Sequence, residues 1–424
     1  MVIASYDIAQ DFEFLEAPLN RLCLLIPALV VTKIIGAVEL PYTPINDSVV
    51  LERVVEPRLP GTVSLRTLRD AWAAKPAFLP GALAYARAAL ELNRREEDPR
   101  YLGYAEASLT PWLGRQQPPP EVLLLRASLR FARVDYVGAE QDLRVLIDSA
   151  APEGHVARIS RSSIYVSRGD PVAALADCEA AKAHVSRLVA STCTSAARGL
   201  AGAAAIALAD IEDALIANEG APISTLLWAH AVAAELAQRL GRTPVARKHF
   251  EQALRRMNDA NTTDPGLIAS YADFLLDQSE PRRVQTLLVP YQRQDNLLLR
   301  LTLAERALAV AGDATAADAA AGHERRLALR FQEMRARGDL SHLREQALFE
   351  LAIRSNATAA LQLVQQSWAV LREPVDARLY LRAAIAAGQP RAASPVLDWL
   401  QKSGLQDARL ATQLATLQTL TTAR

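Results

Sequence analysis

Glycine and aromatic residues are scarce: 18 glycines occur in 424 residues, and aromatics make up 5% of the chain. Half of the residues are apolar, so a collagenous, mucin-like or disordered chain is excluded, since those need Gly/Pro periodicity, Ser/Thr/Pro tracts or low hydrophobicity with high net charge. The length suits one large domain or two to three ordinary ones, with ample apolar material for a core. Neither sign of charge is in excess, with 47 Lys and Arg against 47 Asp and Glu. A balanced total removes the overall attraction on which nucleic-acid binders and polybasic membrane proteins rely, and nucleic acid is not expected as a partner. Cysteine is limited to Cys23, Cys178 and Cys193, with no spacing that suggests zinc.

Catalytic constellations are equally sparse. The sequence holds no phosphate-binding Gly-x-x-x-x-Gly-Lys-Ser/Thr loop, no Gly-x-Gly-x-x-Gly fingerprint, no Gly-x-Ser-x-Gly elbow and no His-Glu-x-x-His helix. The six histidines, His155, His184, His230, His249, His323 and His342, are scattered and read as surface or helix-end residues. His323-Glu324-Arg325-Arg326 begins like a zinc-protease motif, but no second histidine follows. No metal and no cofactor is expected. Asp273 and Asp277 sit one helical turn apart, a spacing compatible with acid/base work or a cation site. The preferred reading is a solvated face opposite Arg239. The arginines at 325, 326, 330, 335 and 337 have few interleaved aromatics, and salt bridges to neighbouring helices are preferred to a nucleic-acid stripe.

The one long apolar run, Leu22 to Val31, is half the length a spanning helix needs and carries Pro27. It has the length of a signal-peptide core, although Asp7, Asp11, Glu13 and Glu16 precede it where a basic leader belongs. A start at Leu19, read as a non-ATG initiation codon, gives Met-Asn-Arg before the run; cleavage after Ala37 then leaves a mature chain starting at Val38. Export to the periplasm or beyond is therefore expected. Retention of the run as an anchor, or a buried hairpin helix in an intracellular protein, are the alternatives. Cleavage also removes Cys23 and leaves an even pair.

From about residue 64 the pattern is helix after helix, rich in Ala, Leu and Arg. Breaks fall at Val134-Asp135-Tyr136, Gly169-Asp170-Pro171, Arg198-Gly199-Leu200, Gly241 to Pro244, Ser279-Glu280-Pro281, Gly312-Asp313, Ser355-Asn356 and Gly388-Gln389-Pro390. A small residue follows each break: Ala139, Ala174, Ala204, Ala246, Val284, Ala317, Ala360 and Ala393, roughly 30 to 43 residues apart. An earlier unit is placed at Gly81 to Leu113 with Gly103 as its small residue. Two antiparallel helices approach closely only where one presents little side chain, which gives the small residue its purpose. Such a period predicts a helical solenoid.

These residues resemble the tetratricopeptide repeat family, most clearly over Gly241 to Leu254, with Gly241 at the turn, Ala246 at the close contact, and Phe250, Ala253 and Leu254 following. Gly169-Asp170-Pro171 with Ala174, Cys178 and Ala181 is the next best match, while the units at Ser279 and Ser355 lack the turn glycine and are degenerate. The resemblance covers roughly residues 80 to 403. It implies an all-α fold, a right-handed α-solenoid of antiparallel helix pairs; together with the apolar run and the prolines, the chain is divided into a leader at 1–37, an extended Pro-containing arm at 38–63, repeats at 64–403 and a C-terminal capping helix at 404–424. It also implies a concave groove that binds another protein or peptide. Mapped from the turns, the groove candidates are Leu124, Ser128 and Phe131; Ile159, Ser163 and Val166; Val189, Cys193 and Ala196; Glu235, Gln238 and Arg239; and Asp273, Leu276 and Asp277. The Lys/Asn/Arg set by which family members clamp a C-terminal carboxylate is not supplied. Cys178 and Cys193 fall on adjacent helices, either as a disulfide that staples two repeats or as two buried small residues. The functional expectation is an exported, non-catalytic protein-binding scaffold; the alternatives are a membrane-tethered assembly factor and an enzyme with a groove site near Asp273 and Asp277.

Overall fold

The structure, a computed structural model, describes Asn46, residues 64–149 and residues 152–422. The apolar run, Cys23 and the Pro-containing arm lie outside the described residues. Helix α1 (Leu65–Ala74) is followed by antiparallel hairpins: α2 (Leu79–Glu96) with α3 (Arg100–Leu113), α4 (Pro120–Ala132) with α5 (Tyr136–Asp148), α6 (Gly154–Ser167) with α7 (Pro171–Ala181), and α8 (Arg187–Leu200) with α9 (Ala204–Ala217). Then come α10 (Ile223–Arg239) with α11 (Thr243–Asp259), α12 (Pro265–Asp277) with α13 (Pro281–Leu288), and α14 (Asp295–Val310) with α15 (Ala314–Ala336). The chain ends with α16 (Leu343–Ala352) and α17 (Ala357–Trp368), α18 (Pro374–Ala386) and α19 (Ser394–Ser403), and α20 (Ala411–Thr422). No strand occurs among the described residues. This is the all-α solenoid that the repeat spacing predicts.

The hairpin turns share one mechanism. A residue in the left-handed region ends the first helix, and the N–H of the next residue reaches back to the last helical turn, as from Asp135 to Arg130 O, Asp170 to Tyr165 O and Asp313 to Leu308 O. In four hairpins that next residue also caps the second helix with its side chain: Asp135, Asp170, Asp313 and Asn356 accept from backbone N–H groups three residues on. Ser279 (φ 58°) and Ser355 (φ 54°) occupy the position that Gly241, Gly312 and Gly388 take elsewhere, so the two units without a turn glycine keep the same turn. Val134 does so too at φ 63°, a costly conformation for a β-branched residue.

Ala139, Ala174, Ala204, Ala246, Val284, Ala360 and Ala393 are all buried at helix contacts. Ala317 is exposed, and its neighbours Ala316 and Ala320 make the contact instead. Gly103 is also exposed with open space around it, while Ala105 is fully buried. The break expected at Arg198-Gly199-Leu200 lies inside α8. Gly199 is there because Leu236 of α10 packs where a Cβ would be, and the turn is made by Gly202 at φ 82°. The final helix starts later than residue 404: Gly404 ends α19 in the left-handed region, and Ala408–Leu410 forms a 3-10 turn before α20.

The solenoid coils back on itself. At one rim the C-terminal end of α2 meets α12 and α14: Arg94 pairs with Asp264 at 3.3 Å, Gln294 donates to Arg95 O at 2.7 Å, and Asn296 donates to Glu97 at 2.7 Å. Farther along, Arg372 N–H donates to Ser167 O at 2.8 Å, and the Trp399 indole N–H donates to Gly169 O at 2.9 Å. Gly169 serves both the turn (φ 70°) and this approach, since a Cβ there would lie 2.5 Å from Trp399 Nε1. A hydrophobic core then joins Val166 and Leu200 to Leu361, Tyr380, Leu410 and Leu417, so the C-terminal helices cover the face of α6 and α8.

Candidate functional site

Between the first hairpins and the returning half of the chain lies a cavity of about 1540 Å³. One wall is built from α2, α4 and the start of α6, with Leu83, Leu124, Leu125 and Phe131 as its apolar floor. The facing wall comes from the starts of α12 and α14, the end of α15, and the turn leading into α16. The amphipathic period of α4 explains the floor: Leu124, Ser128 and Phe131 recur at helical spacing and share one face. Ser128 is spent locally, its hydroxyl donating to Leu124 O at 3.0 Å. Two carboxylates face each other at the closed rim. Glu97, in the left-handed position that ends α2, accepts from Asn296, and burial followed by the nearby Glu345 pushes its pKa up to about 8. Glu345, in the first turn of α16, is held below its ordinary value because Arg344, His342 and Arg300 outweigh the effect of its burial.

Of the groove candidates, Leu124, Ser128 and Phe131 line this cavity; the others do not. Ile159 and Val189 are core residues, and Val166 is covered by the C-terminal helices. Glu235 receives Arg409 at 2.7 Å and Arg239 at 3.3 Å, with Gln238 at 3.5 Å. Burial would raise the Glu235 pKa, but the two arginines outweigh it and bring it to about 2. Asp273 is paired with Arg300 of α14 at 2.8 Å, and Asp277 with Arg378 of α18 at 2.8 Å. Asp277 is exposed and Asp273 half-buried, so this face keeps its contact with solvent, but its partners are Arg300 of the next hairpin and Arg378 of the returning chain and not Arg239. The charged centre of the groove is a set of internal clasps.

Cys178 of α7 and Cys193 of α8 are joined by a disulfide, with Cα atoms 5.6 Å apart. Of the five arginines read as salt-bridging, Arg330 pairs with Asp295 and Arg335 donates to Gln346 at 3.2 Å, while Arg337 lines the cavity.

Three histidines depart from the surface reading. His230 and His249 are buried with Nδ1 atoms 3.1 Å apart, and His323 is buried against Glu305 at 2.8 Å. They are hidden because α9 to α11 and α14 to α15 pack on faces where imidazole bridges a polar partner. His249 Nε2 lies 3.2 Å from Glu212, so in the neutral pair His249 donates to Glu212 and accepts from His230. Burial first, then His249 and nearby cations, lower the His230 pKa to about 3. Below pH 6.5 the unfolded chain thus binds a proton that the native state refuses, and stability falls as pH drops toward 3. From pH 6.5 to 5 this one group is expected to remove about 2 kcal/mol. Urea unfolding of wild type and His230→Gln at both pH values checks it: the variant should lose less stability across that interval, and equal losses would contradict the assignment. Among the described residues no group of three or more His, Cys, Asp or Glu is arranged to hold a metal ion.

Glu97, Glu345, Arg300, Arg344, Arg378 and Arg409 are the site and clasp residues that sequence reasoning missed. Each is an ordinary charged residue on an amphipathic helix or turn; Arg300 and Arg344 find their partners on the neighbouring hairpin, and Glu97, Arg378 and Arg409 find theirs only where the coil returns, such as Asn296 for Glu97 and Glu235 for Arg409. No signal within a single repeat marks them.

No protein-family model matches the chain, and no curated protein matches it. Among solved structures, the chain is similar to a chain of the crystal structure of the APC/C hetero-tetramer Cut9-Hcn1, with a TM-score of 0.48 and 12% identity over 84% of this chain and 67% of that one.

Proposed function

We propose that this protein is a non-catalytic adaptor that holds a segment of another protein in the cavity between α2, α4 and the returning α14–α16 region, and that it works after export, in an oxidising compartment. The single observation that carries the reading is the cavity itself. Its volume of about 1540 Å³ exceeds the ~300–1,000 Å³ usual for small-molecule sites, and its apolar floor with a charged rim suits a peptide segment. The carboxylates that an enzyme reading would use, Asp273 and Asp277, are each neutralised by an arginine and do not line this space. The disulfide between Cys178 and Cys193 supports an oxidising compartment, as such bonds persist outside the reducing cytosol. Among the described residues no helix is long and apolar enough to cross a membrane.

A photoreactive amino acid placed at Ser128, on the cavity floor, tests the binding reading in cells of the native host. A defined protein cross-linked at 128, absent when the probe sits at the exposed Val310, is the expected result. Equal labelling from both positions, or none from 128, would reject the cavity as the binding surface.

A further inference from the structure

The charge of the cavity is unequal once its internal pairs are set aside. Four of its arginines are already engaged: Arg94 by Glu91 and Asp264, Arg133 by Glu106, Arg330 by Asp295, and Arg344 by Glu373 and Asp376. Among the described residues, Glu121, Glu153, Glu333 and Glu345 line the same walls without an ion pair, whereas Glu97, pushed up to about 8 and bonded to the neutral amide of Asn296, carries little charge at neutral pH. Against these four charged acids stand Arg87 and Arg337, Arg293 having a partner of its own. Arg300, whose charge acts on both Glu97 and Glu345, is committed to Asp273 through Nε and Nη2 at 2.9 and 2.8 Å and to Asn296 O through Nη1 at 2.9 Å. Carboxylates in excess on low-dielectric walls focus a negative potential into the space they enclose.

We propose that the segment taken by this cavity is basic and apolar together: lysine or arginine side chains meet Glu345, beside Glu97, at the closed rim, while apolar neighbours lie on Leu83, Leu124 and Phe131. This rests on the reading of the cavity as a peptide seat and adds the chemistry of the guest. Opposite charge at a desolvated site sets specificity, and contact with the leucines and phenylalanine supplies area. An acidic segment would instead be repelled, the reverse of a carboxylate clamp.

The test uses the full chain and three dye-labelled twelve-residue probes of alternating Leu/Lys, Leu/Ser and Leu/Glu, followed by fluorescence anisotropy at low and moderate salt. The Leu/Lys probe is expected to bind at least about tenfold more tightly than Leu/Ser, to weaken with salt, and to outcompete Leu/Glu. In E97Q/E345Q the preference for Leu/Lys over Leu/Ser should shrink to about twofold or less, and S128W should weaken both probes by filling the floor. If E97Q/E345Q does not fold, E121Q/E153Q on the wall built by α4 and α6 should reduce the preference in the same direction. Equal binding of Leu/Lys and Leu/Ser, both weakened by S128W, would overturn the charge preference and leave the peptide seat standing. Leu/Lys binding untouched by S128W and by the glutamine variants would overturn the preference at this site and the seat as well. No binding of Leu/Lys would overturn the proposal outright, and the cross-link at 128 then judges the seat separately.

Discussion

Replacing Arg344 by methionine should destabilise the fold by about 3–5 kcal/mol, the cost of breaking a buried ion pair by removing one partner. Arg344 Nε lies 2.6 Å from Asp376, and its Nη2 lies 2.7 Å from both Glu373 and Asp376. All three side chains are almost fully removed from solvent. Burial opposes the guanidinium charge, yet Asp376 and Glu373 outweigh it and hold the Arg344 pKa well above its ordinary value. The triad also links distant parts of the chain: Glu373 accepts from Ser167 of α6, and its backbone N–H donates to Asp376 at the start of α18. Methionine would preserve most of the packing and leave two carboxylates facing each other without a cation. Their pKa values would then lie above the unfolded values, so the penalty should be largest at pH 7 and should shrink as pH falls and they take up protons. Urea unfolding at pH 7 and pH 5 measures both parts. Adding E373Q and D376N should recover stability, because the buried charge that makes the single variant costly is gone. A loss below about 1 kcal/mol at pH 7 would show that the triad is solvated enough to act as a surface pair.

The solenoid could be read from the sequence because its units are local. A residue tolerant of the left-handed region, a capping Asp or Asn, and an apolar stripe with one small position lie within a single hairpin, and short-range sterics dictate all three. The same locality explains the errors. Gly199 has the composition of a turn residue, but its reason for being glycine is Leu236 on the next hairpin; the true turn is three residues on, at Gly202. Ala317 was one position from the buried Ala316 because several alanines in that helix satisfy the same local pattern. The site itself was legible only on the wall that one helix builds: Leu124, Ser128 and Phe131. Whether Glu235 or Asp277 faces a guest or an arginine of the same chain depends on how tightly the superhelix winds. That winding is the sum of small rotations across many interfaces, and it decides that Arg409 meets Glu235 from 174 residues away. No residue pattern inside one repeat encodes it.

Removing the Cys178–Cys193 bond should lower the stability of the surrounding repeats by about 3 kcal/mol, the loop-closure value for a cross-link of this span, the two cysteines being 15 residues apart. The position of the bond makes that loss local as well as global. Cys178, Leu188 and Cys193 belong to the large central core, while Ala174 and Ala197 on the same two helices belong to the core shared with the C-terminal return. The disulfide thus fixes α7 against α8 where the solenoid receives its own end. In a repeat array stability is a sum of neighbouring terms, so amide exchange resolves the effect better than a single midpoint. With reductant, or in C178A/C193A, protection should fall in α7 and α8 and in the docked α18 and α20, with little change in α2 and α3. Reductant should have no further effect on the double variant. Uniform loss along the chain would mean that the bond only restrains the unfolded state. No loss at all would mean that the buried sulfurs serve as packing, and would remove the main physical support for placing this protein in an oxidising compartment.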